Sequence, residues 1–170
     1  MGEVTVEKIM WLVLGATTLI AALRAGASPR AMYIARAALV VLMVLFGAVV
    51  NALYLFSGSA YYEDFAAASQ FALVRETWDS VVIPHQGFFI MLLIVCEVAA
   101  GVLIAVGGRW MRWALIALIG FHIGQLVFGW YMWPWAVPMI VTFALLIRAQ
   151  QRTPTPPLTL HLPPAVVPVP

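Results

Sequence analysis

The loops between the apolar runs of this chain alternate in charge, and no other feature constrains the fold as tightly. Arg24, Arg30 and Arg36 lie between the first and second runs, Arg109 and Arg112 between the third and fourth, and Arg148 and Arg152 after the fifth, with no acid among them. The intervening loops carry Glu63, Asp64, Glu76 and Asp79 with a single arginine, Arg75, or, after Trp130, no charge at all. Basic residues resist translocation and collect in short cytoplasmic loops. Five spans with the N-terminus outside place every basic loop on the cytoplasmic side and every acidic loop outside.

The runs fall at about residues 9–23, 37–56, 87–106, 112–130 and 133–147. A hydrocarbon core needs roughly 20 helical residues. The middle three meet that length; the outer two, at about 15, rely on local thinning or on neighbouring helices. Composition agrees: 64% of the residues are hydrophobic and 9% charged, which excludes a soluble domain of this size. The expected fold is all-α, a polytopic transmembrane bundle over residues 1–152 followed by a tail over 153–170. The basic excess reads as membrane orientation and contact with a lipid bilayer, not nucleic-acid binding. Cys96 is the only cysteine, so neither a disulfide nor a cysteine-rich metal site is available.

Ala25-Gly26-Ala27 resembles a signal-cleavage site after run one. Glu3 and Glu7 outweigh Lys8 ahead of that run, however, where a secretory signal wants positive charge, so run one is expected to remain as a span. Aromatic residues should mark the interfaces: Tyr33, Trp110 and Trp113 at the inner one, Trp11, Tyr54, Trp130, Tyr131, Trp133 and Trp135 at the outer. Residues 130–135 then form a tight outer turn, with Pro134 and Pro138 in the first turns of the last helix.

Residues 57–86 are too many for a simple turn. Ala67, Phe71, Val74, Trp78 and Val81 recur at helical spacing, which predicts an amphipathic helix on the outer surface, ended before Pro84. It serves either as a lid over the bundle or as a docking surface for a protein partner, offering Trp78, Glu76 and Asp79. The tail, TPTPPLTLHLPPAVVPVP from Thr153, is too proline-rich for a helix and is expected to be extended. It lies across a partner subunit or is a loosely ordered end. His161 there stands alone, with no second ligand spaced around it.

Chemistry must come from the few polar residues inside the spans. Glu97 lies halfway along run three, where a carboxylate is costly unless protonated, paired or hydrated. His122 lies halfway along run four, which runs the opposite way, so a Glu97–His122 contact is expected. Gln125 shares a face with His122, and Asn51 reaches a similar depth on run two. The four could form one polar cluster that binds a ligand or handles protons. Against that stands a structural reading, polar glue between helices, which suits Asn51 and Gln125 in particular. Bis-histidine haem does not fit, since His85 is about half a membrane from His122. Gly120 and Gly124 form a small-xxx-small pair, a candidate homodimer face. No nucleotide-binding, metalloprotease or nucleophile–base motif is present, and no metal site is expected.

Arg36 and Gly47 at the start of one helix, a long outer loop, Glu97-Val-Ala-Ala-Gly101 ending in Val106-Gly107-Gly108, and a basic turn at Arg109 and Arg112 resemble the DoxX-like membrane proteins over residues 36–148. The resemblance implies a four-helix unit, here with an added N-terminal helix, in a bacterial plasma membrane. It further implies an accessory subunit of a quinone-linked redox complex, non-catalytic and without a covalently bound cofactor. Asn51 and His122 match no part of that pattern. The alternative is a membrane binder of a lipid, quinone or sterol-like ligand that uses Glu97 and His122. A proton or solute conduit is disfavoured, because the inner halves of the spans are nearly devoid of polar residues.

Overall fold

A computed structural model describes residues 6–58 and 60–158. Helix makes up 83% and no strand occurs among the described residues, which fixes the class as all-α. Five helices are long and apolar enough to cross a membrane, as in an integral membrane protein. We number them α1 (Val6–Ala25), α2 (Pro29–Phe56), α3 (Ala72–Val106), α4 (Gly108–Gln125) and α5 (Trp133–Ala149).

Each helix packs on the next, and α5 returns to α1, closing a ring. Leu39, Leu42, Ile104, Met111, Leu115, Met139, Phe143 and Leu146 fill its centre. Helix α1 is thus the element that closes the bundle. Gly15 makes this possible: a Cβ there would stand 2.8 Å from the Trp135 ring. Trp11 lies 5.2 Å from that ring and donates its indole N–H to Phe46 O at 2.8 Å. These two tryptophans are therefore half-buried packing residues, whereas Trp130 and Trp133 are exposed as an interfacial belt requires.

Helix α2 starts earlier than its apolar run. Ser28 caps it, accepting the Ala31 N–H at 3.2 Å, and Pro29 fits the first turn, where an amide has no helical partner. Arg36 consequently lies inside a helix and is 2% exposed, not in a basic loop. Within α2, Leu42–Val49 is π-helical, a local widening beside Gly47 and Asn51.

The predicted outer helix is corrected. Residues 60–71 form a short 3-10 turn and loops, with Ala67 outside any helix, and the helix that begins at Ala72 passes through Pro84 into the span, a run of 35 residues. Pro84 does not end it because π-helical Trp78–Val82 and 3-10 Ile83–His85 absorb the missing amide, and the His85 ring donates from Nδ1 to Val81 O at 3.0 Å. The loop docks on the connection between α4 and α5. Ser69 donates to Val127 O at 2.6 Å, Tyr131 to Phe65 O, and Phe65, Trp78 and Phe128 form an aromatic cluster with centroids 5.1–5.4 Å apart. This is a lid over the acidic end.

The tail has no regular secondary structure from Pro154 to Leu158 and is fastened to its own bundle. Thr153 donates to Ala25 O at 2.8 Å, and the Leu158 N–H to Ala105 O at 2.9 Å. All four basic-end segments, from α1, α2, the α3–α4 turn and α5, meet there. Glu3, His161 and the rest of 159–170 lie outside the described residues.

Candidate functional site

Helices α2 and α3 run antiparallel and share two charged side chains, each facing a glycine of the other helix or its cap. At mid-span Gly47 lies against Glu97: a Cβ on Gly47 would stand 2.8 Å from both Cδ and Oε1. Asn51, one turn further along α2, donates from Nδ2 to Glu97 Oε2 at 2.8 Å. Tyr62, buried in the lid, donates to Asn51 Oδ1 at 2.6 Å. Tyr62 thus fixes the orientation of the amide, and the amide fixes the carboxyl. Among the described residues no donor reaches Glu97 Oε1, and the side chain is half-buried. The site is a carboxyl group held by one oxygen, with the other left to act.

At the basic end the pattern is different. Arg36 donates from Nε and Nη2 to Ile104 O at 3.2 and 3.1 Å, from Nη2 to Ala105 O at 3.0 Å, and from Nη1 to Pro156 O at 2.7 Å. Those first two carbonyls belong to the last turn of α3, which has no helical donors for them and is electronegative by virtue of the helix dipole. Gly107, at φ +81°, lets the tail approach: a Cβ there would collide with Thr155 O and stand 2.7 Å from Arg36 Nη2.

The structure brings Asn51 and Glu97 together but separates them from the other two candidates. His122 is buried, and its Nδ1–H goes to Leu118 O at 2.8 Å; its ring packs on Phe143, centroids 5.1 Å apart. No hydrogen bond or ion pair links it to Glu97 among the described residues, so the expected Glu97–His122 contact is not formed. Its helix turns that face toward α5, and an i−4 carbonyl meets its need for a partner locally. Gln125 lies near the acidic end, facing the outer part of α3. A Cβ on Gly120 or Gly124 would meet nothing within 4 Å among the described residues. Of the partner candidates, Trp78 spends its N–H on Tyr62 O at 2.9 Å and its ring within the aromatic cluster, while Glu76 and Asp79 are exposed.

No group of three or more metal-ligating side chains occurs among the described residues. Sequence reasoning missed Tyr62 and the burial of Arg36. The Tyr61-Tyr62 pair was visible, but nothing in its spacing pointed inward. Compared with known proteins, the chain matches no family model, no curated protein and no solved structure.

Proposed function

We propose that this chain is a DoxX-like membrane subunit, itself non-catalytic, that holds the head group of an apolar ligand of quinone or lipid type at Glu97, beside a redox complex of a bacterial plasma membrane. The observation that carries the reading is the half-occupied carboxyl: Oε2 is fixed by Asn51, and Oε1 has no donor among the described residues. An intramembrane acid is costly and is retained where it binds or conducts something. A quinol hydroxyl donates to a carboxylate, and a neutral carboxyl donates to a quinone carbonyl, so Oε1 suits either form. The residues that carry the DoxX resemblance also meet in pairs, Gly47 with Glu97 and Arg36 with Gly107, which supports reading them as one pattern. In this reading the basic end is cytoplasmic, and exposed Glu76 and Asp79 face the partner's side of the membrane.

The test is mass spectrometry of small molecules retained by the protein after purification in mild detergent. A retained quinol, or a lipid whose hydroxyl donates to Oε1, should be lost from both Glu97→Gln and Glu97→Leu, because the amide spends its oxygen on Asn51 and its nitrogen cannot accept. Retention unchanged in Glu97→Gln and failure only in an unstable Glu97→Leu would reduce Glu97 to helix glue. Copurifying proteins in the same preparation identify the complex. Cysteine labelling near Thr155 from outside intact cells would reverse the assigned orientation.

A further inference from the structure

The turn between α1 and α2 carries two cations with no anion to meet them. Arg24, in the last turn of α1, and Arg30, in the first turn of α2, are both exposed. Their guanidinium groups make no hydrogen bond or ion pair among the described residues. No acid occurs between Glu7 and Glu63, nor in the other loops at that end. Beside them α1 and α2 leave a groove of about 280 Å³, lined by Thr17, Ile20, Ala21 and Arg24 of one helix and Ala31 and Ile34 of the other. The four residues of α1 share one face, and on α2 Arg30 stands one turn ahead of Ile34. Since the two helices run in opposite directions, both arginines lie at the same, basic end of the groove. Its apolar part extends from Arg24 to Thr17, about 10 Å at 1.5 Å per residue. Ile20 is 59% and Ile34 41% exposed, so the groove opens sideways to the surroundings of the bundle.

We infer that this groove seats an acyl chain of an anionic phospholipid whose phosphate is held by Arg24 and Arg30. Charge selects the head group, because basic pockets between membrane helices gather anionic lipids. A zwitterionic lipid brings its own cation, which two unpaired guanidinium groups repel. Order along the groove selects a lipid over a free anion: the cations sit at one end and the apolar walls continue from there into the span. A soluble anion gains nothing from Ile20 and Ile34. The volume falls just below the range of closed small-molecule sites, so it takes a length of chain and not a whole ligand.

The experiment uses the full chain in phosphatidylcholine vesicles with two photoreactive lipids of identical diazirine-bearing chains, a phosphatidylglycerol and a phosphatidylcholine. The phosphatidylglycerol should label residues 17–34 at least tenfold more, since each cation near a membrane surface contributes about fivefold. Arg24→Gln and Arg30→Gln should each lose about fivefold of that preference, and the double variant should abolish it. Arg24→Lys should retain most of it. Ala31→Leu should lower labelling by both lipids, because it fills the groove. Arg112→Gln, at the same end but outside the groove, should change nothing, and neither should Glu97→Gln, so this reading and the Glu97 reading fail separately. Equal labelling by the two lipids, or an equal loss in Arg112→Gln, would overturn the site and leave surface charge alone. Competition by millimolar inorganic phosphate, beyond that of chloride at equal ionic strength, would also overturn it by making a free anion the occupant.

Discussion

Helices α2 and α3 bury two opposite charges within the same pair of elements, and the two are treated in opposite ways. Arg36 is tied down on two sides: its guanidinium makes four hydrogen bonds to three carbonyls, two on the last turn of α3 and one in the tail. Glu97 is held through one oxygen by a single amide. A guanidinium has a rigid fork of donors and no other chemistry at neutral pH, so its bonds into two separate segments make it a fastener. A carboxyl held by one oxygen remains available to a ligand. The contrast separates a residue that builds the bundle from one that the bundle presents.

The largest expected effect lies at the fastener. Arg36→Leu should leave the buried carbonyl of Ile104 without a donor, at a cost on the order of 1–3 kcal/mol, and should also give up the bonds to Pro156 O and to Ala105 O, which keeps the Leu158 N–H, each worth roughly 0.5–1.5 kcal/mol. We expect destabilisation of about 3 kcal/mol, read as a lower unfolding midpoint of the detergent-solubilised protein. Arg36→Lys should recover only part, because an ammonium is a point charge and cannot span the α3 terminus and the tail together. A midpoint unchanged in Arg36→Leu would break the comparison at its stronger side.

Next comes the glycine that admits the tail. Gly107→Ala combines a left-handed backbone, φ +81°, with a Cβ directed onto Thr155 O. Gly108→Ala has the backbone penalty alone, φ +52° with nothing within 4 Å. The left-handed conformation costs roughly 1–2 kcal/mol for an L-residue. Both variants should therefore lose about that much, while only Gly107→Ala should also release the tail. Limited trypsin digestion at Arg152 measures the release: cleavage should accelerate in Gly107→Ala and not in Gly108→Ala.

Much of this was legible in the chain. The charge alternation is visible in the folded chain as two ends, one holding the basic turns and the other the acidic lid, because short loops force consecutive helices to opposite directions. Glu97 and Asn51 were legible through depth, since two helices of opposite direction bring residues of equal depth together. The same argument failed for His122, because depth says nothing of azimuth: α4 turns His122 toward Phe143 of α5. Arg36 was misplaced because hydropathy locates apolar runs, not helix starts, and the Ser28-Pro29 cap begins α2 ahead of its run. Pro84 misled for a related reason. Proline disfavours an α-helical turn, but π and 3-10 turns on either side carry the chain through it.

The smallest effect on stability should come from the residue of greatest functional interest. Glu97→Gln keeps the shape of the side chain and an oxygen that can accept from Asn51 Nδ2, so the link to α2 survives. Polar contacts between membrane helices average about 0.6 kcal/mol and reach about 1.7, which sets the scale of what even Glu97→Leu should lose by giving up that bond. Leucine also removes the burial cost of the carboxyl, an opposing gain. Gly47→Ala probes the other side of the same contact, since its Cβ would stand 2.8 Å from Cδ and Oε1 and must displace the carboxyl. We expect unfolding midpoints near wild type for Glu97→Gln and slightly lower for Gly47→Ala, with ligand retention lost in both. A Glu97→Gln protein as unstable as Arg36→Leu would show that the two charges do the same structural work, and the division between fastener and presented group would fall.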